Sequence, residues 1–208
     1  EMMEAGANAG ADLVVIETMT DLYEAKAALL AAKETTNLPV FVTMSFESSG
    51  RTFTGCTAAS MARTLEGLGA DAIGLNCSLG PDLLLPILKE ICANTSLPVI
   101  AKPNAGLPDP VDGHYDLEPA AFADAMVEAV NAGISVVGGC CGTTPDYIRA
   151  LSERVRGLAP MPVSAKSDTV VSSYTHALCF GRAPLLIGER INPTGKKRFK
   201  EALLAGDT

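Results

Sequence analysis

Residues 136–145 read VVGGCCGTTP, with Cys140 and Cys141 adjacent and Gly138, Gly139 and Gly142 around them. A thiol can act as a nucleophile, a redox group or a metal ligand, and stripping away the neighbouring side chains leaves room for a large ion or a substrate. The two cysteines are poorly placed to bridge each other. One trans peptide sets their Cα atoms about 3.8 Å apart, whereas a relaxed disulfide wants about 5.5 Å. A third thiol, Cys77, closes the stretch GLGADAIGLNC at 67–77. Three thiolates suit zinc with its fourth coordination position open, as in a catalytic site and unlike a closed structural one. Such a centre carries net negative charge, which makes it a poor source of hydroxide but able to hold a substrate thiol as the nucleophilic thiolate at neutral pH. The chemistry indicated is alkyl transfer onto sulfur. The competing reading is that these are small apolar core residues, since free cysteine is commonly buried.

The elements that would bring the three thiols together are written as a repeat. NAGADLVVIE at 8–17, GLGADAIGLNC at 67–77 and NAGISVVGGCC at 131–141 each place a glycine (Gly10, Gly69, Gly133) where a helix ends, followed at once by an apolar β-prone run. Between them, NLPVFVTMS at 37–45 and SLPVIAKPN at 96–104 form a second pair, and Pro39 and Pro98 are separated by the same interval as Gly10 and Gly69. Amphipathic helices are predicted at 21–34, 57–68, 81–93, 118–131 and 145–156. Pro81 and Pro145 suit first helical positions, Thr143 or Thr144 can cap, and Phe122, Met126 and Val130 form a core-facing stripe.

Strands alternating with helices predict a parallel sheet covered on both faces. Two closures compete, an open doubly wound sheet and a (β/α)8 TIM barrel of which about five C-terminal units are present. The near-periodic units favour the barrel, incomplete here, with about three units preceding residue 1 and with unpaired strand edges that make the chain alone inactive and poorly stable. In register with the glycines, Glu17, Asn76 and Cys140 occupy one level and Thr18, Cys77 and Cys141 the next, at the carboxyl ends of parallel strands, where ligands bind in either closure. Ser45 and Asn104 end the other two strands. Cys56, Cys92 and Cys179 fall outside this rim. Asp12 and Asp71, at the opposite end, read as stabilising residues. Lys102 faces the interior by strand alternation, where a Schiff-base lysine is conceivable, although the thiols point elsewhere.

The chain has 208 residues, 48% of them hydrophobic, 19% charged and none of them Trp, enough to bury a sizeable core. A net charge of -8 excludes a broad nucleic-acid-tracking surface, and Lys196-Lys197-Arg198 is too short a basic run to reverse this. No run approaches a membrane span and no basic n-region opens the chain, so the location is read as cytoplasmic. The six cysteines lack the density of a disulfide-stapled domain. The first residues look like the tail of a helix.

GLNCS at 74–78, KPNAG at 102–106 and GGCCGTTP at 138–145 together closely resemble the homocysteine S-methyltransferase family, which has cobalamin-dependent and betaine-dependent branches. The resemblance runs from residue 1 to about 156. It implies a zinc-bearing (β/α)8 barrel with Cys77, Cys140 and Cys141 as ligands, Asn104 beside the metal and Glu17 on the amino group of the substrate, homocysteine. From 184 onward, PLLIGERINPTGKKRFKEALLAGD resembles the first strand, turn and helix of the pterin-binding module that follows the homocysteine module in the cobalamin-dependent branch. Glu189 and Asn192 match the start of that module's cofactor site. The implied organisation is the C-terminal part of a homocysteine-binding zinc barrel at 1–156, a connector at 157–183, and the start of a methyltetrahydrofolate domain at 184–208. The methyl donor would then be methylcobalamin on the cobalamin-binding module of the same full-length protein, recharged from 5-methyltetrahydrofolate on the adjacent module. Betaine or S-methylmethionine as donor, and a truncated non-catalytic zinc-binding barrel, are the alternatives. His114, in the DGHYD loop, could reach the mouth, and His176 is read as structural.

Overall fold

The computed structural model describes residues 1–159, 161–181, 183–188 and 192–207. A short helix α1 (Met2–Asn8) leads into five strand-helix units: β1 (Val14–Met19) and α2 (Leu22–Thr35), β2 (Val40–Met44) and α3 (Ala58–Gly67), β3 (Ala72–Asn76) and α4 (Pro81–Asn94), β4 (Val99–Lys102) and α5 (Pro119–Asn131), β5 (Val136–Val137) and α6 (Pro145–Val155). Every predicted helix forms within a few residues of its expected bounds. The local reasons hold as well. Pro81, Pro119 and Pro145 occupy first-turn positions, where the missing N–H costs nothing. Asp21 caps α2 by accepting from the backbone N–H of Tyr23 and Glu24, and Thr57 caps α3 by accepting from Ser60. Thr144 stands at the cap of α6 without a side-chain cap bond, while the Thr143 hydroxyl donates to the carbonyl of Cys140 at 2.7 Å. Gly10, Gly69 and Gly133 all take the left-handed conformation at helix ends.

The five strands are parallel and lie in the order β1-β2-β3-β4-β5. A doubly wound sheet reverses its strand order at a switch point; among the described residues no reversal occurs, an order consistent with part of a TIM barrel. Val40, Val42, Met44, Ile73, Leu75, Val99 and Ala101 are buried against Leu29, Met61, Leu65, Leu84, Leu88, Ile91, Phe122 and Met126 of the covering helices. Phe122 also meets Tyr147 edge-on, centroids 5.6 Å apart. Among the described residues β1 and β5 are the sheet edges, with Val15 and Val136 exposed.

The end of the sheet away from the cysteines is tied by Asp71, as expected of a stabilising residue. Its carboxylate accepts from Lys33 Nζ at 2.6 Å and from the backbone N–H of Val40 at 2.7 Å, joining α2 to the start of β2. Partial burial pushes its pKa up, but the two hydrogen bonds and the Lys33 charge outweigh that and leave it lowered.

Residues 157–183 are more structured than a connector requires. They contain an antiparallel pair, β6 (Val170–Ser172) and β7 (Ala177–Cys179), laid against α3. Tyr174, at its turn, donates to Asp21 Oδ2 at 2.7 Å and stacks at a tilt on Tyr23. Arg63 pairs with Asp168 at 3.4 Å, and Ser96 Oγ accepts from Lys166 N–H at 2.7 Å. His176 sits in this turn beside Thr175. Beyond it, the turn Pro193–Gly195 and a helix α7 (Lys197–Ala205) form as expected. The expected strand does not form over 184–188, where Leu186 and Ile187 stand exposed; no strand lies beside them among the described residues to complete a ladder.

Candidate metal centre

Consecutive residues of an extended strand point to opposite faces, so Asn76 and Cys77 should not share a site, nor should Glu17 and Thr18. The backbone removes the conflict by turning left-handed at each strand end, with φ 60° at Thr18, 64° at Cys77 and 61° at Ser78. These are three non-glycine residues in a conformation that costs about 1 kcal/mol or more each, and such strain persists where the surroundings over-determine it. On β1 the turn coincides with a register shift between Ile16 and Met19. Thr18 and Cys77 occupy the same repeat position, so the repeat extends to backbone conformation.

The result is that the Sγ atoms of Cys77, Cys140 and Cys141 lie within 4.8 Å of one another, with Cys77 and Cys141 3.5 Å apart. Ligands at about 2.3 Å in a tetrahedral set place their sulfurs about 3.8 Å apart, so the cluster matches a thiolate-bound ion. Its exposure rises from half-buried Cys77 and Cys140 to exposed Cys141, which leaves one side open to the mouth. The other cysteines stay out of it: Cys56 is fully buried, its thiol pushed up to about 12 mainly by that burial, and burial likewise raises Cys92.

Two glycines of the motif leave no room for a side chain. A Cβ on Gly139 would lie 2.5 Å from Thr143 Oγ1, and one on Gly142 would lie 2.4 Å from the ring of Tyr115; Gly142 also has φ +79°. Two backbone bonds stitch the paired-cysteine loop to the end of β4, from Cys140 N–H to the Pro103 carbonyl at 2.8 Å and from Ala105 N–H to the Cys141 carbonyl at 2.9 Å.

Asn104 is buried, and its Oδ1 accepts from the backbone N–H of Cys141 at 3.1 Å. It thus stands beside the cluster and holds the loop that carries Cys141. Glu17 is exposed at the end of β1 and pairs with Lys102 Nζ, which reaches across from β4. Two groups went unassigned in the sequence. Asn76 is 1% exposed. Its Oδ1 accepts from Thr18 N–H at 2.8 Å and Thr43 Oγ1 at 2.7 Å, and its Nδ2 donates to Thr18 Oγ1 at 2.6 Å and toward Cys140 Sγ at 3.8 Å. Its place on the same repeat level as Glu17 and Cys140 was the available signal. Tyr115 rests on Gly142 with its hydroxyl toward Cys141; burial, then the charge of the neighbouring cysteines, raises its phenol. Nothing local marks it, because a long loop brings it there. The ring of His114 is held between Asp112 and Asp116. Of the two tail residues, Asn192 caps the turn by accepting from Thr194 N–H at 2.9 Å, and Glu189 lies outside the described residues.

Known proteins match the sequence and the sheet. The family model described as homocysteine S-methyltransferase matches residues 1–155. Methionine synthase of Mycobacterium leprae (strain TN) is 38% identical over 213 residues, and that of Mycobacterium tuberculosis (strain ATCC 25618 / H37Rv) is 36% identical over 208. Each comparison covers 95% of this chain but only 18% and 17% of the relative, so the chain spans less than a fifth of the curated relatives it matches. Among solved structures, the homocysteine methyltransferase MmuM from Escherichia coli in its metallated form superposes with a TM-score of 0.61 at 27% identity, over 73% of this chain and 48% of that one. The family model covers every element that builds the three-thiol cluster, and the chain belongs to the homocysteine S-methyltransferase family.

Proposed function

We propose that this chain is the later part of a zinc-bearing (β/α)8 barrel that activates homocysteine for methylation to methionine, continuing through a connector at 157–183 into the first unit of a pterin-binding domain at 184–208. The observation that carries the reading is the convergence of three thiols from two separate strand ends on one open-sided cluster. The named structures of MmuM include a metallated form of that protein, which supports a metal here. Cys77, Cys140 and Cys141 would hold zinc, and the ion would supply a Lewis acid that keeps a substrate thiol ionised at neutral pH.

The remaining work falls to the chain itself. Asn76 directs a donor at Cys140 and fixes the turns of β1 and β3 around it. Asn104 fixes the backbone of Cys141; the alternative role from the family motif, standing in for substrate at the open position, is compatible with that site. Glu17 offers a carboxylate at the mouth for the substrate ammonium. Such outer groups orient ligands as much as the ligands themselves set the site.

Methylcobalamin, held on another module of the full-length protein, is the preferred methyl donor, with 5-methyltetrahydrofolate on the adjacent one. Support comes from the tail: the methionine synthases align over 95% of this chain, beyond the family model's end at 155, whereas MmuM covers 73%. Glu189 and Asn192 would belong to the folate module's site. The test is methionine formation by the full-length protein that carries this segment, offered homocysteine with methylcobalamin, betaine or S-methylmethionine in turn. Methylcobalamin alone should serve, and Cys140→Ala should abolish the reaction. Turnover with betaine would move the chain to the other branch, and full activity of Cys140→Ala would remove the thiol centre from the mechanism.

A further inference from the structure

Lys102 carries a cation to the strand ends described above. Its strand register places it opposite Asn76, and its aliphatic stem lies over Gly138, where a Cβ would stand 3.3 Å from Lys102 Cγ. From there the side chain crosses from β4 to the carboxylate of Glu17 at the end of β1. Both ends of this ion pair flank the thiols. The residue after Lys102 accepts from Cys140 N–H at 2.8 Å, and the residue after Glu17 is bonded to Asn76, which reaches Cys140. The pair is open to solvent, with 24% of the Lys102 side chain and 53% of that of Glu17 exposed. An exposed pair of this kind contributes little to stability. A cation and an anion fixed side by side in an open mouth are, however, the complement of an amino-acid zwitterion.

We propose that Lys102 is the carboxylate-binding residue of the site, taking the α-carboxylate of the aminothiol substrate while Glu17 takes its ammonium. The pair opens to exchange partners, each internal charge for the opposite charge of the ligand, and the substrate thiol is left facing the cysteines. This rests on the reading of the chain as a homocysteine-activating module, and it adds selection for a whole amino acid over simpler thiols.

The test is calorimetric binding of three thiols, at neutral pH, to the zinc-loaded full-length protein that carries this segment: homocysteine, 3-mercaptopropylamine, which lacks the carboxylate, and 4-mercaptobutyrate, which lacks the amine. Lys102→Gln should weaken homocysteine and 4-mercaptobutyrate by about tenfold, the order expected for one charge-assisted contact. The same change should leave 3-mercaptopropylamine unchanged or tighter, because Glu17 is freed of its internal partner. Lys102→Arg should restore homocysteine. Equal losses for all three thiols, or undiminished homocysteine binding by Lys102→Gln, would overturn the assignment of Lys102 and leave the homocysteine reading standing. A zinc-loaded full-length parent that binds none of the three would defeat the homocysteine reading itself, and Lys102 with it.

Discussion

At the scale of single residues, the site depends on groups that hold the thiols as much as on the thiols. Asn76 is the clearest case, since its side chain satisfies two acceptor and two donor contacts in a buried position. Asn76→Ala should cost about 3 kcal/mol, because the Thr18 N–H and Thr43 hydroxyl lose their acceptor inside the fold. Urea unfolding measures this, and a change under about 0.5 kcal/mol would mean that the network is not formed. The three thiols were legible in the sequence because the repeat set Cys77 level with Cys141, with Cys140 one residue before it, at strand ends. The left-handed turn that makes Cys77 usable was not, because a non-glycine residue adopts it only under tertiary constraint, here the bond from Cys77 N–H to the Lys102 carbonyl at 3.0 Å. Tyr115 was invisible for a similar reason: its contact with Gly142 is set by the path of a long loop.

At the scale of elements, the chain announces itself through punctuation. Proline at helix starts and glycine at helix ends carry local physical meaning, and those boundaries came out within a few residues. In two segments partners decide the outcome. VVS and ALC pair as β6 and β7 because α3 offers a surface for them, while 184–188, equally apolar, has no neighbouring strand among the described residues. The lower end of the sheet yields a pH prediction. Asp71 has a folded pKa below its unfolded value of about 3.9, so its contribution is present above that value and is lost as pH falls through the folded one. Asp71→Asn should therefore be less stable than the parent at pH about 7, with the difference shrinking as pH falls below about 4. Denaturant midpoints at the two pH values check the sign; a difference that grows in acid would reverse it.

At the scale of the whole molecule, the five parallel strands among the described residues follow one another without reversal and present β1 and β5 as edges, with Val15 and Val136 exposed. Unpaired apolar edges template further pairing. The chain in isolation should self-associate in a concentration-dependent way by sedimentation, and a monomer over a wide concentration range would show the edges to be protected. The metal centre is equally a property of the whole fold, since its ligands come from β3 and from the loop after β5, held together by the strands between. The most direct test is the zinc content of the reduced 208-residue chain after exhaustive dialysis, beside Cys77→Ala, Cys140→Ala, Cys141→Ala and, as control, Cys92→Ala. One zinc per chain in the parent and the Cys92 variant, lost in the other three, is the predicted result; a parent without zinc, or zinc retained without Cys77, would contradict it.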